Sequence, residues 1–229
     1  MTRSSPIREP LVHVSGAAGL DEAGRGPLAG PVTAAAVILP DDFNLSGIDD
    51  SKKLTAAERA ALALRIRAEC RWAVAFVDIE TIDRINILWA SMLAMEQALA
   101  GLGAEPASVF VDGDRVPRGL IGRAQAVVGG DAKYACIAAA SILAKVDRDA
   151  RMSAYANEYP AYGFDRHYGY GTPEHLAALK EHGPCPIHRR SFAPVGAAQT
   201  SLFEGLVSPP AALREETLQP SVTLRIGQT

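Results

Sequence analysis

The chain has 229 residues, 48% of them hydrophobic, and a formal charge of -3, enough to close one good-sized core with at most an appendage. The slightly acidic total excludes a global field that favours nucleic acid, so any phosphate binding has to rest on local basic clusters. The longest apolar runs, near residues 32–39 and 137–144, fall well short of the roughly 20 residues that a membrane span needs. The opening MTRSSPIREP lacks the apolar centre of a signal peptide, so a cytoplasmic location without membrane attachment is expected. Cys70, Cys136 and Cys185 form no CxxC pair and no Cys/His cluster, which predicts free, structural thiols.

In chain order, the first 16 residues are polar and contain proline, and they are expected to be loose. Residues 17–21 and 32–39 read as two apolar strands around a Gly/Pro turn region, simplest as a hairpin-like pair. Thr55 followed by Glu58 has capping-box spacing, and an Ala/Leu-rich helix should run from there to about Cys70. Residues 72–77 read as a third strand. Between residues 82 and 102, Ile85, Leu88, Trp89, Met92, Met95 and Leu99 recur at three- and four-residue intervals, the pattern of an amphipathic helix. Two further strands are expected, at 108–111 and 124–128, and the strand-helix-strand order implies a parallel crossover. A long Ala-rich helix should follow over 132–156. The expected fold class is α/β, a mixed sheet flanked by helices, and residues 195–229, with Pro209, Pro210 and Pro220 and no sustained periodicity, read as a flexible tail.

Acids recur where these strands end: Asp21 and Glu22, Asp112, and Asp131. Strand ends are where open sheets build their sites. Clustered carboxylates suit hard divalent cations, and two such ions roughly 4 Å apart stabilise both the attacking and leaving oxygens of a phosphodiester displacement. Taken singly, Asp131 reads equally well as a helix N-cap, and Asp112-Gly113 as an ordinary turn. Asp21-Glu22, directly after an apolar strand, is poorly explained by either a core or a turn. Neighbours on a regular strand face opposite ways, so the pair is expected to share a site only where the strand ends or bulges.

At these residues the chain resembles the ribonuclease HII family. The resemblance runs through residues 19–27 (GLDEAGRGP), 29–32 (AGPV), 50–54 (DSKKL), 86–88 (NIL), 111–113 (VDG), 131–146, 167–172 (HYGYGT) and 188–192 (HRRSF), and it covers about residues 17–194. It implies a ribonuclease H-like domain with a C-terminal helical extension. It also implies Mg²⁺- or Mn²⁺-dependent cutting of the RNA strand of RNA/DNA hybrids and at ribonucleotides embedded in duplex DNA, leaving 3'-hydroxyl and 5'-phosphate ends. Asp21, Glu22, Asp112 and Asp131 would be the catalytic metal ligands. Gly24, Arg25 and Gly26 would read the ribose beside the scissile phosphate, with a plain tight turn as the alternative. Tyr170 would pack near the junction nucleotide, against the alternative of a buried structural tyrosine, and Lys52, Lys53 and Lys145 would contact phosphates.

The spacing of His167, His175, His182 and His188 matches no zinc pattern, so these side chains read as structural or substrate-adjacent. A noncatalytic hybrid-binding module is the alternative function, and it would have no need of all four acids. Beyond the family motifs, the segment 199–203 (QTSLF) resembles the short peptide that bacterial proteins insert into the sliding clamp, with Gln199, Leu202 and Phe203 as contacts; the alternative is that Leu202 and Phe203 pack back on the body.

Overall fold

The computed structural model describes residues 10–49, 51, 53–203 and 222–227. Six strands form one mixed sheet in the order β5-β4-β1-β2-β3-β6: β1 is Ala17–Ala23, β2 Val32–Ile38, β3 Arg71–Val77, β4 Ser108–Asp112, β5 Ala124–Val127 and β6 Val222–Gly227. The helices are α1 (Ala56–Glu69), α2 (Ile79–Gly101), α3 (Ala135–Glu158), α4 (Phe164–His167), α5 (Pro173–His182) and α6 (Ala193–Phe203). β1 and β2 make the expected antiparallel pair, while β4 runs parallel to β1. Because β2 is antiparallel to both β1 and β3, the chain from β3 through α2 to β4 is the anticipated parallel crossover. Among the described residues no helix is long and apolar enough to cross a membrane.

Each face of the sheet has its own core. Ala17, Ala35, Val37 and Val74 bury against α1 and α3, whereas Ala18, Leu20, Ala34, Ala36 and Ala75 bury against α2. The small residues of β1 and β2 set how closely the helices approach. At Gly19 an added Cβ would lie 2.2 Å from the Cys136 carbonyl carbon, so α3 rests directly on the backbone of β1. That close seat carries the later residues of α3 over the end of the strand.

The capping box of α1 forms as its sequence dictates, with the Thr55 hydroxyl accepting from the Glu58 N–H and Glu58 accepting from the Thr55 N–H. α2 is interrupted where the periodicity predicts a continuous helix. Asn86 takes a left-handed φ of 65°, and its side chain accepts from the Leu88 and Trp89 N–H groups. A second helix start is therefore capped inside the first. α3 begins later than expected, at Ala135, with Tyr134 at its N-cap and no side-chain cap. Asp131 instead sits in a separate 3-10 turn, Gly130–Ala132, so it is not the N-cap of α3.

The termini also differ from expectation. Residue 12 is tied down, because the Val12 N–H donates to Lys133 O at 2.8 Å and Val12 O accepts from the Ala135 N–H at 3.0 Å. The described parts of residues 195–229 are α6 and β6. β6 pairs with β3 from Val222↔Val77 to Trp72↔Gly227, and its Arg225 reaches the buried Asp147 of α3 at 3.2 Å. The alternation Val-Thr-Leu-Arg-Ile finds an unpaired sheet edge, a partner that a search for longer periodicity overlooks.

Candidate active site

The acidic end of β1 needs no bulge. Its register with β2 runs on through Asp21↔Ala35, Glu22↔Ala34 and Ala23↔Thr33, while its pairing with β4 stops at Leu20↔Val111. Asp21 shares strand parity with Gly19, on the α3 face, and Glu22 shares parity with Leu20, on the α2 face. The expected break in β1 is replaced by the early end of β4, which opens the rim so that acids from both faces line one cleft.

Asp21 is only 5% exposed. Its Oδ1 accepts from the Glu22 N–H at 2.7 Å, and the Ser141 hydroxyl, delivered by α3, also bonds it. Ser141 in turn lies 2.9 Å from the Ser51 hydroxyl. Burial, with Glu22 and Asp112 close by, still raises the Asp21 carboxyl well above the usual carboxylate range. Asp112 closes β4, and its Oδ1 accepts from the Gly130 N–H at 2.7 Å. Asp131 follows Gly130 and is buried in the same turn, 6% exposed; it stands next to the cleft wall and is not among the cleft-lining residues.

The cleft encloses about 400 Å³ and brings together Asp21, Glu22, Asp112, Gly24, Arg25, Gly26, Lys145 and Tyr170. Tyr170 is 44% exposed, which sets aside the reading of a buried structural tyrosine. Lys145 bonds Asp149 at 2.7 Å and lies over the Tyr168 ring. Lys53 is not in the lining and stands 3.9 Å from Asp49. Lys52 lies outside the described residues. Gln199, Leu202 and Phe203 fall in the last turns of α6, and their side chains lie outside the described structure.

Ser51, Arg59, Ser141 and Arg148 also line the cleft and were not singled out from the sequence. Arg59 holds the loop before α1 by donating to Ser51 O at 2.8 Å and to Leu54 O at 2.5 Å. Arg148 is fully buried and donates to Ala29 O, Pro31 O and Tyr168 O, each at 3.1 Å. Gly24, at φ 98°, is required by this arrangement, because an added Cβ would stand 2.0 Å from Arg148 Nε.

Behind Tyr170 lies a buried histidine relay whose tautomers follow from its donors. The Cys185 N–H donates to His188 Nδ1 at 3.0 Å. His188 therefore carries its proton on Nε2 and donates it to His175 Nε2 at 3.0 Å. His175 Nδ1–H then donates to the Tyr170 carbonyl at 2.9 Å. Burial, then the neighbouring His175, pushes His188 down to about 4, and burial also lowers His175. His167 stacks on His175 and bonds Tyr162 O at 2.7 Å, whereas His182 lies at the edge of the Tyr162 ring. The facing nitrogens of His175 and His188 are spent on each other, which favours the structural one of the two expected readings for this pair. The three cysteines are free and buried, and burial pushes their thiols up to about 11 or 12.

Among the described residues no three Asp, Glu, His or Cys groups already stand in metal-ligand geometry. The chemistry of the donor set nevertheless fits a hard divalent cation: Asp21, Glu22 and Asp112 are all oxygen donors, and burial, then Glu22 and Asp112, penalise the ionised form of Asp21. A cation among them would remove that repulsion.

The family model for ribonuclease HII matches residues 18–195. The ribonuclease HII of Sphingopyxis alaskensis is 59% identical over 181 residues, covering 79% of this chain and 90% of that one. In the structure of the PCNA:RNase HII complex from Archaeoglobus fulgidus, a chain 30% identical to this one superposes with a TM-score of 0.68, over 80% of this chain and 96% of that one. The crystal structure of Bst-RNase HIII in complex with Mn²⁺, 20% identical, shares the fold with a TM-score of 0.64, over 82% of this chain and 70% of that one.

Proposed function

We propose, from the premise that the chain belongs to the ribonuclease HII family, that this hydrolase cuts the RNA strand of RNA/DNA hybrids and the backbone at ribonucleotides embedded in duplex DNA, leaving 3'-hydroxyl and 5'-phosphate ends. The observation that carries this reading is the meeting of Asp21, Glu22 and Asp112 with the Gly24-Arg25-Gly26 loop and Tyr170 in one cleft. A noncatalytic binding module would gain nothing from burying Asp21 beside two other acids, which is costly unless that charge is used.

Asp21, Glu22, Asp112 and Asp131 would hold Mg²⁺ or Mn²⁺. When bound, the cations supply Lewis acidity at the phosphate and lower the pKa of the attacking water, so no histidine base is needed. Ser141 and the Glu22 N–H hold the Asp21 carboxylate in one orientation, and the Gly130 N–H does the same for Asp112. Lys145 and Arg25 bring positive charge to the cleft for the substrate phosphates, with Lys52 and Lys53 as outlying contacts. The Tyr170 ring offers a face on which a sugar or base stacks. The 2'-hydroxyl serves as the mark that separates RNA from DNA rather than as the nucleophile.

The chain would work in the cytoplasm as a domain of residues 17–194, and Gln199, Leu202 and Phe203 would dock it to the bacterial sliding clamp. Support for docking comes from the segment's clamp-peptide pattern and from the archaeal relative being a chain in a complex with PCNA. The deciding experiment is cleavage of a DNA duplex carrying one ribonucleotide, with Mg²⁺ or Mn²⁺. Metal-dependent cutting with 5'-phosphate products is expected, and its absence would falsify the reading. Clamp docking is tested separately: Leu202→Ala with Phe203→Ala should abolish binding to immobilised clamp and leave cleavage intact.

A further inference from the structure

Arg189 is buried as completely as Arg148 beside it, and among the described residues neither guanidinium forms a salt bridge with a carboxylate. Arg189 spends its donors on backbone carbonyls. Nη2 reaches Gly24 O at 2.6 Å and Pro31 O at 3.2 Å, Nη1 reaches Arg25 O at 3.1 Å, and Nε reaches Gly30 O at 2.9 Å. Backbone pairing seats it there, with the Arg189 N–H donating to Leu28 O and the Gly30 N–H to Ile187 O, both at 2.8 Å. Burial, then the adjacent Arg148, pulls its pKa down to about 9, so it stays a cation at neutral pH. A buried cation is costly when only dipoles answer it. Only a planar fork with five donors gathers four carbonyls from one point.

The contacts to Gly24 O and Arg25 O fix more than the loop's position. In a trans peptide unit the C=O and N–H point in opposite directions, and among the described residues there are no cis bonds. Gly24 O and the Arg25 N–H share one unit; Arg25 O and the Gly26 N–H share the next. Drawing both carbonyls onto Arg189, which does not line the cleft, turns both amides away from it, in a loop whose Gly24, Arg25 and Gly26 do line the cleft. Neither amide has an acceptor among the described residues. Successive outward N–H groups make a concave donor pair for oxygen ligands.

We infer that Arg189, although it never touches substrate, is a specificity-determining positioning residue: it aims the Arg25 and Gly26 amides at sugar and phosphate oxygens of the ribonucleotide. The inference rests on the proposed reading of the cleft as a ribonucleotide site. It makes discrimination between ribose and deoxyribose depend on a buried side chain at the opposite end of the sequence from the loop.

The test compares the binding of two duplexes, identical except that one carries a single ribonucleotide, to the full chain bearing Asp21→Asn so that nothing is cut. Adding Arg189→Lys should lower the preference for the ribonucleotide duplex roughly ten-fold, a hydrogen-bond-sized effect, with all-DNA affinity unchanged. Arg67→Lys, which weakens a remote ion pair with Asp147, is the stability control and should keep the preference. A preference that survives Arg189→Lys, or falls equally with Arg67→Lys, overturns the inference. No preference even before Arg189 is changed would sink the ribonucleotide reading and this inference with it. Should Arg189→Lys fail to fold, amide NMR of the Asp21→Asn chain decides. The Arg25 and Gly26 resonances should shift with the ribonucleotide duplex and not with its all-DNA twin, and shifts that do not differ between the two overturn the inference.

Discussion

The acidic rim at the ends of β1 and β4 and the cationic shell beneath residues 24–31 meet at Gly24, and they hold charge in opposite ways. On the rim, carboxylates accept from backbone N–H groups, as Asp21 does from Glu22 and Asp112 from Gly130. In the shell, guanidiniums donate to backbone carbonyls, as Arg148 and Arg189 do. Each wall uses the half of the peptide group that complements its charge, so neither Arg148 nor Arg189 is drawn into a salt bridge with the acids. On the rim only Glu22 meets a guanidinium, that of the exposed Arg25 at 3.5 Å, and under the proposed function the acids would hold cations and the loop amides would meet substrate. Had Arg189 paired with Asp21, the same charges would have cancelled and the cleft would be inert.

Four substitutions test this division, from the largest expected effect to the smallest. On the rim, Asp21→Asn should cut the turnover of a ribonucleotide-containing duplex by at least about a thousand-fold, with the melting temperature unchanged or raised, because a strained buried acid is removed. A collapse in stability instead would mean that the acid is structural. At the junction, Gly24→Ala places a methyl against Arg148 at a left-handed φ and should cost about 2–4 kcal/mol in denaturant unfolding. It should also reduce activity more than that stability loss explains.

In the shell, His188→Gln should flatten part of the acid limb of stability. His188 is held down to about 4 in the folded chain, against about 6.5 unfolded. The native chain therefore keeps this contribution above about 6.5 and loses it as pH falls toward 4, because only the unfolded state takes the proton readily. The difference between native and variant unfolding free energies should shrink by on the order of 2–3 kcal/mol over that window. A difference that does not change with pH would show that the relay does not govern it. Facing the cleft, Tyr170→Ala should raise KM by about ten-fold or more through lost stacking, worth roughly 1–3 kcal/mol, while kcat changes less. An unchanged KM would assign the ring to packing.

The rim was legible in the sequence and the shell largely was not. Acids directly after short apolar runs stand out because a strand end gives them no cheaper use, and Asp21, Glu22 and Asp112 reach one cleft. Asp131 was seen in the right neighbourhood, although in a 3-10 turn rather than at the start of α3. Arg148 and Arg189 gave no such signal. An arginine in a polar stretch usually reads as solvated, and its partners here are carbonyls, which every residue possesses. His175 and His188 read from the sequence as structural or substrate-adjacent, and the order of donors that favours the structural reading exists only in three dimensions. The expected break in β1 failed for a related reason: strand parity is local, whereas the point at which β4 stops is set by the whole sheet.

β6 bears on solubility rather than chemistry. Without it, β3 would be the outer strand, offering a seven-residue edge, Arg71–Val77, with one charge to blunt it. Such an edge recruits a strand from another copy of the chain. β6 occupies it, tied by Arg225 to Asp147 and admitted at Gly227 by the absence of a side chain where the Trp72 ring lies. A chain cut before Val222 should keep every cleft residue and still be lost to aggregation, so in this protein the last strand works as a guard against self-association.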